Sequence, residues 1–193
     1  MSAFRKRLLT LVLCSVAVIV AYIFLHELGH CIAALMFGAR ITEFSIITAH
    51  MRSEGGRFTP QRSMLLNAGG MLLPYIVGIV WLALYRAGGD KGGLRNGRAG
   101  GIYRSCAFIY YVASLYSVTP WILIPITYAR GFAPAGDDVT KFLINYSYIG
   151  GSPVTVSSAA TVMLVFYLAL LTRQEPARDF MDYMAGKSDI GRR

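Results

Sequence analysis

The sequence predicts an all-α polytopic membrane protein, with about four to five membrane helices and a short β-hairpin after the first. Three observations predict it. Of the 193 residues, 55% are apolar and 15% charged, and mean hydropathy is +0.50. The charges fall mostly between long apolar runs, and β-branched residues in partial alternation follow the first run. A chain of this kind reads as one membrane-embedded domain, residues 1–193, integral and multi-pass, in the cytoplasmic membrane if bacterial.

The first run, residues 8–37, reads as one helix. Its roughly 30 residues at about 1.5 Å each exceed a hydrocarbon core of about 30 Å, so it must tilt or project. Its basic start, Arg5, Lys6 and Arg7, suits a signal peptide, but no small-residue cleavage site follows, and cleavage would sever the run. Residues 39–60, with the Glu54-Gly55-Gly56 turn signal, predict a β-hairpin. A second helix covers 64–85, followed by a Gly-rich basic linker, "RAGGDKGGLRNGRAGG", that favours flexibility. The third, 106–128, carries Tyr110, Tyr111, Tyr116 and Trp121, which read as interfacial anchors and packing groups. The last, 139–171, is interrupted near 150–153 by "GGSP", giving a broken helix or a half-helix plus a full span. The tail from Arg173 is mixed in charge and too short to fold alone.

The net charge of +9 belongs to loops and tails. Basic loops beside membrane helices contact lipid headgroups, so membrane lipids are an expected partner and nucleic acid is not. The basic start and the five Lys and Arg from Arg86 to Arg104 favour a cytoplasmic N-terminus. Cys14, Cys31 and Cys106 lack the spacing of a disulfide framework or a zinc knuckle and read as small buried apolar residues.

Within "AYIFLHELGHCIAALMFG", two histidines and a glutamate interrupt an apolar run. His26 and His30, four apart, lie about 40° apart on one helical face and can reach one ion. Glu27 sits about 100° round, where it can hold a water bound to the metal; Cys31 points away. The pattern supplies two neutral ligands and a general base. Ionisable residues in hydrocarbon cost roughly 2.5 to 3.5 kcal/mol each, which disfavours a purely structural role for three of them. His50, in the predicted hairpin, is within reach of the site but reads first as a solvated loop histidine.

The stretch "HELGHCIAALMFGARITEFSI" resembles the active-site helix and following strand of the site-2 protease family, intramembrane zinc metalloproteases in which a Gly ends the helix and a short β-segment follows. The resemblance implies one zinc ion per chain bound by His26 and His30, Glu27 as catalytic base, and a transmembrane protein as substrate; it also favours the end of the active-site helix towards the cytoplasm, which would put the N-terminus outside, against the charge reading. "NAGG", Asn67 to Gly70, resembles the family's Ala-Gly-Pro signature, with Gly70 for the proline and Leu73 where an asparagine is expected. The family's third ligand is an aspartate, and "GDD" offers Asp137 and Asp138 before a helix. A carboxylate suits the site, because two imidazoles, one carboxylate and a hydroxide bring zinc's charge to zero. If the helix begins near Val139, Asp137 stands at the N-cap and Asp138 is free to point at the metal. Asp138 is therefore the expected ligand, and Asp137 the alternate.

The expected function is an intramembrane zinc endopeptidase acting in or near transmembrane segments of single-span proteins, as in regulated intramembrane proteolysis. The hairpin is either purely structural or an edge strand for an unwound substrate. No separate screening module is expected within these 193 residues, so selection is expected to rest on the helices, hairpin and linker or on a regulatory membrane partner. The alternative is a noncatalytic zinc-binding pseudoprotease acting as a membrane regulatory or scaffold protein; Glu27 argues against it, since metal binding alone does not need that residue.

Overall fold

The computed structural model describes residues 3–91 and 97–187. The elements are α1 (Ala3–Met36), β1 (Ala39–Ser45), β2 (His50–Gly55), α2 (Pro60–Lys91), α3 (Gly97–Tyr128), α4 (Asp138–Tyr148), α5 (Pro153–Gln174) and α6 (Pro176–Ala185). Four helical stretches are long and apolar enough to cross a membrane: α1, Pro60–Tyr85 of α2, Gly100–Tyr128 of α3, and α5. The interrupted last run resolves into the short α4 and the full-length α5. At 11 residues α4 is about 16 Å long, half a hydrocarbon core. Pro153 opens α5 because a proline at the first helical position gives up no hydrogen bond. The linker is shorter than expected: α2 runs to Lys91 and α3 starts at Gly97, and residues 92–96 lie outside the described ones.

Helix α1 is apolar on nearly every face. Leu9, Val12, Leu13, Val16, Ile19 and Val20 point outward, while Glu27, Gly29, His30, Cys31, Ala33 and Ala34 are buried. Small and polar residues inside, large apolar ones outside, is an arrangement suited to hydrocarbon surroundings. The core lies among α2, α3 and α5, where Leu82, Tyr85, Tyr111, Val118 and Tyr167 are fully buried. Two of the buried phenols find backbone partners: Tyr110 donates to the Pro74 carbonyl at 2.9 Å and Tyr75 to that of Met163 at 2.7 Å. Of the four aromatic residues expected as anchors or packing groups on α3, Tyr110, Tyr111 and Trp121 pack inside and Tyr116 is exposed.

Helices α1 and α2 cross at two glycines. A β-carbon on Gly29 would overlap the Gly69 carbonyl oxygen, and one on Gly69 would stand 2.9 Å from the Gly29 carbonyl carbon. The missing side chains let the two backbones touch, which sets α2 directly against the histidine face of α1. The hairpin pairs Ala39 with Gly55 and Ser45 with His50, with an irregularity between Ile41 and Glu43. It ends at Gly55, short of residue 60.

The tail is not unstructured. Ten residues cannot hold a helix alone, but α6 is amphipathic and finds an apolar surface on α3. Phe180 stacks on Phe108 with centroids 4.3 Å apart, and the buried Asp179 accepts from the Tyr85 hydroxyl at 3.1 Å. Arg7 of α1 donates to the Met184 carbonyl at 3.0 Å, joining the start of α1 to the end of α6.

Candidate metal centre

Helix α1 presents His26 and His30 one turn apart, and the first turn of α4 brings Asp138 to them. Asp138 Oδ2 lies 3.4 Å from His26 Nε2 and 3.1 Å from His30 Nε2, and the two Nε2 atoms are 3.2 Å apart. A tetrahedral zinc with ligands at about 2.0–2.1 Å places neighbouring ligand atoms about 3.3 Å apart. The triangle therefore has the edge length that three ligands of one ion require. Nitrogen and carboxylate donors suit zinc, and the group can hold a metal ion.

Two further contacts set the donor atoms. His30 Nδ1 is 2.7 Å from the Leu66 carbonyl oxygen, which can only accept, so Nδ1 carries a hydrogen and Nε2 is the ring nitrogen turned towards the triangle. On the other side, Lys141 Nζ stands 3.7 Å from Asp138 Oδ1, leaving Oδ2 for the histidines. Burial by itself would raise the Asp138 carboxyl, but hydrogen bonds and charge interactions with His26 and His30 outweigh it and hold the group well below the usual carboxylate range. Asp137 does the other job: its Oδ1 accepts from Val139 N at 2.8 Å and Thr140 N at 3.4 Å, capping α4.

Space for the histidines comes from α2. A β-carbon on Gly70 would overlap His30 Nε2 and fall 2.7 Å from His26 Nε2. Gly69 thus brings α2 close, and Gly70 keeps the ligand pocket open. Neither role shows in the sequence, where "NAGG" reads only as a motif fragment.

The triad opens onto a cavity of about 510 Å³. Its walls are Glu27 beside the histidines, Ala49, His50, Met51 and Ser53 from the hairpin, Leu66 and Asn67 from α2, and Gly136, Asp137 and Lys141 around the start of α4. Glu27 is buried, and among the described residues no hydrogen bond or ion pair holds its carboxylate. Cys31 lies outside the triad and is a free buried thiol, as is Cys14; Cys106 is half-buried. His50 departs from expectation. It begins β2 and lines the cavity, because the hairpin folds back over the end of α1.

No family model, curated protein or solved structure matches the chain. What fold and site define together is a predominantly helical protein with four potential membrane spans and a His-His-Asp candidate metal centre beside a buried glutamate.

Proposed function

We propose that the chain is an intramembrane zinc endopeptidase of the site-2 protease type, cutting single-span membrane proteins within or near their transmembrane segments. The observation that carries the reading is the convergence of His26, His30 and Asp138 at tetrahedral spacing, with the buried Glu27 on the same cavity.

When bound, zinc supplies a Lewis acid that polarises a carbonyl and makes water acidic near neutral pH. His26, His30 and Asp138 would hold it. Glu27 accepts a proton from the attacking water as the oxygen bonds to the carbonyl carbon, then returns that proton to the amide nitrogen as the C–N bond breaks. A carboxylate without a competing partner is suited to that exchange. Hydrolysis needs water, and the cavity is large enough to admit it together with an extended peptide. The hairpin forms one wall, where a strand edge can pair with an unwound segment.

The test is cleavage of candidate single-span substrates in liposomes by the zinc-loaded protein, beside a Glu27→Gln variant. Zinc binding with cleavage in the wild type, and zinc binding without cleavage in the variant, supports the enzyme. Equal cleavage by both sinks the assigned chemistry. Zinc binding with no cleavage of any substrate by either favours a noncatalytic zinc protein.

A further inference from the structure

We infer that Cys14 and Cys106 form a redox site, which a lipid hydroperoxide converts into a disulfide joining α1 to α3. The site is independent of the protease reading. The two residues stand 92 positions apart in the sequence, and the fold brings them together. Cys14 Sγ donates to the Ile102 carbonyl oxygen at 3.9 Å. Ile102 is one helical turn before Cys106, and a helical side chain leans back over the turn N-terminal to it, so Cys106 projects its sulfur onto that same turn. The two thiols lie within hydrogen-bonding reach of each other. A disulfide spans Cα atoms no more than about 7 Å apart, a separation that thiols in contact across two packed helices can meet. Cys31 cannot take part. It follows Cys14 by 17 residues, about 25 Å along α1 and beyond the span of a disulfide.

Position selects the oxidant. Cys14 lies about 16 Å into α1 and Cys106 about 9 Å into the Gly100–Tyr128 stretch, so oxidants carried by lipid reach them ahead of water-soluble ones. Cys106 is half-buried and Cys14 is 5% exposed, which makes Cys106 the attacking thiol and Cys14 its partner. The Cys106 sulfur attacks the terminal peroxide oxygen, the O–O bond breaks, and the thiol proton leaves with the lipid alkoxide as an alcohol. Two electrons pass from sulfur to the peroxide, and a sulfenic acid remains. The Cys14 sulfur then displaces its hydroxyl: an S–S bond forms, the S–O bond breaks, and the Cys14 proton departs in water. The bond ties the helix that carries His26 and His30 to α3 without touching either histidine.

The full-length protein in liposomes is treated with a phosphatidylcholine hydroperoxide, or with the corresponding alcohol as control. Thiols are then counted by maleimide labelling under denaturation, beside intact mass and peptide mapping. The expected result is three labelled thiols after the alcohol and one, on Cys31, after the hydroperoxide. The mass should fall by about 2 Da, with Cys14 and Cys106 in one linked peptide pair. The melting temperature should rise by several degrees, and dithiothreitol should reverse both changes. Cys14→Ala should stop at a sulfenic acid that dimedone traps on Cys106, and Cys106→Ala should keep both its thiols. Three thiols remaining after the hydroperoxide overturn the inference. So does a linked pair that includes Cys31, a disulfide between two chains, or thiol loss with added oxygen in place of the linked pair. Dimedone on Cys14 in the Cys106→Ala variant overturns the assigned order of attack. If either variant does not fold, the wild-type peptide map decides alone.

Discussion

Gly70 stands against His30 so closely that a single added methyl group would overlap the imidazole Nε2. A glycine inside a helix is disfavoured by about 1 kcal/mol relative to alanine, so Gly70→Ala would stabilise an isolated α2. Here the methyl would occupy the place where the ligand atoms meet. Side chains can rotate away, so Gly70→Ala should fold, with zinc affinity lower by about ten- to a hundredfold. Gly29→Ala differs, because its methyl strikes the backbone carbonyl of Gly69 and only a shift of helices relieves it. That variant should lose about 1–3 kcal/mol of stability, or more, through overpacking. Thermal melts in detergent beside zinc titrations check both, and equal zinc affinity for Gly70→Ala and wild type would remove the pocket-opening role.

The paired aspartates should separate in the same measurements. Asp137 bonds two backbone N–H groups of α4, a role asparagine fills nearly as well. Asp137→Asn should therefore stay folded, zinc-bound and largely active. Asp138→Asn leaves the triangle without its negative charge and should lose zinc and cleavage together. The opposite ranking transfers the ligand role to Asp137, and two active variants remove this segment from the site.

Part of this site is legible in the sequence because it is local. The four-residue spacing of His26 and His30 fixes a shared helical face, and the capping argument separates Asp137 from Asp138 once the start of α4 is placed. The four long apolar stretches are legible for the same reason, as composition over a window. What stays hidden depends on elements meeting. Gly70 has meaning only once Gly29 and Gly69 let α1 and α2 touch. His50 reads as a loop histidine until the hairpin folds over the cavity. Likewise α6 is a short mixed-charge tail until α3 offers Phe108 to Phe180.

Acid should release the metal through the histidines first. Asp138, whose carboxyl is held well below its usual range, contributes stability that is present above the unfolded carboxylate value of about 3.9 and is lost only as pH falls through the depressed folded one. It therefore stays ionised at mildly acidic pH. Imidazole ligands must be neutral, so protons compete with zinc as pH falls. Zinc affinity should therefore weaken on acidification, and a chelator should strip the protein faster at mildly acidic pH than at pH 8. Zinc affinity that does not change with pH in a chelator competition would mean that the histidines are not ligands.

The orientation of the chain in a membrane can be fixed by the same arrangement of helices. If the four candidate spans among the described residues all cross, the chain returns to the side on which it starts, and the Arg7 bond to the Met184 carbonyl places both ends of the described chain together. The positive-inside rule then compares two sets of segments. Residues 1–7, 86–98 and 173–193 hold twelve Lys and Arg, while 39–62 and 129–141 hold six. Arg104, which the sequence adds to the loop charge, is buried in α3 and drops out. The excess favours a cytoplasmic position for both ends, which puts the hairpin and the cavity towards the opposite face. An impermeant thiol reagent added to intact cells should label Ile47→Cys at the exposed hairpin tip and spare Ala3→Cys, with the native cysteines replaced. Labelling of position 3 from outside, with position 47 protected, would invert this arrangement and place the His26, His30 and Asp138 triad near the cytoplasmic face.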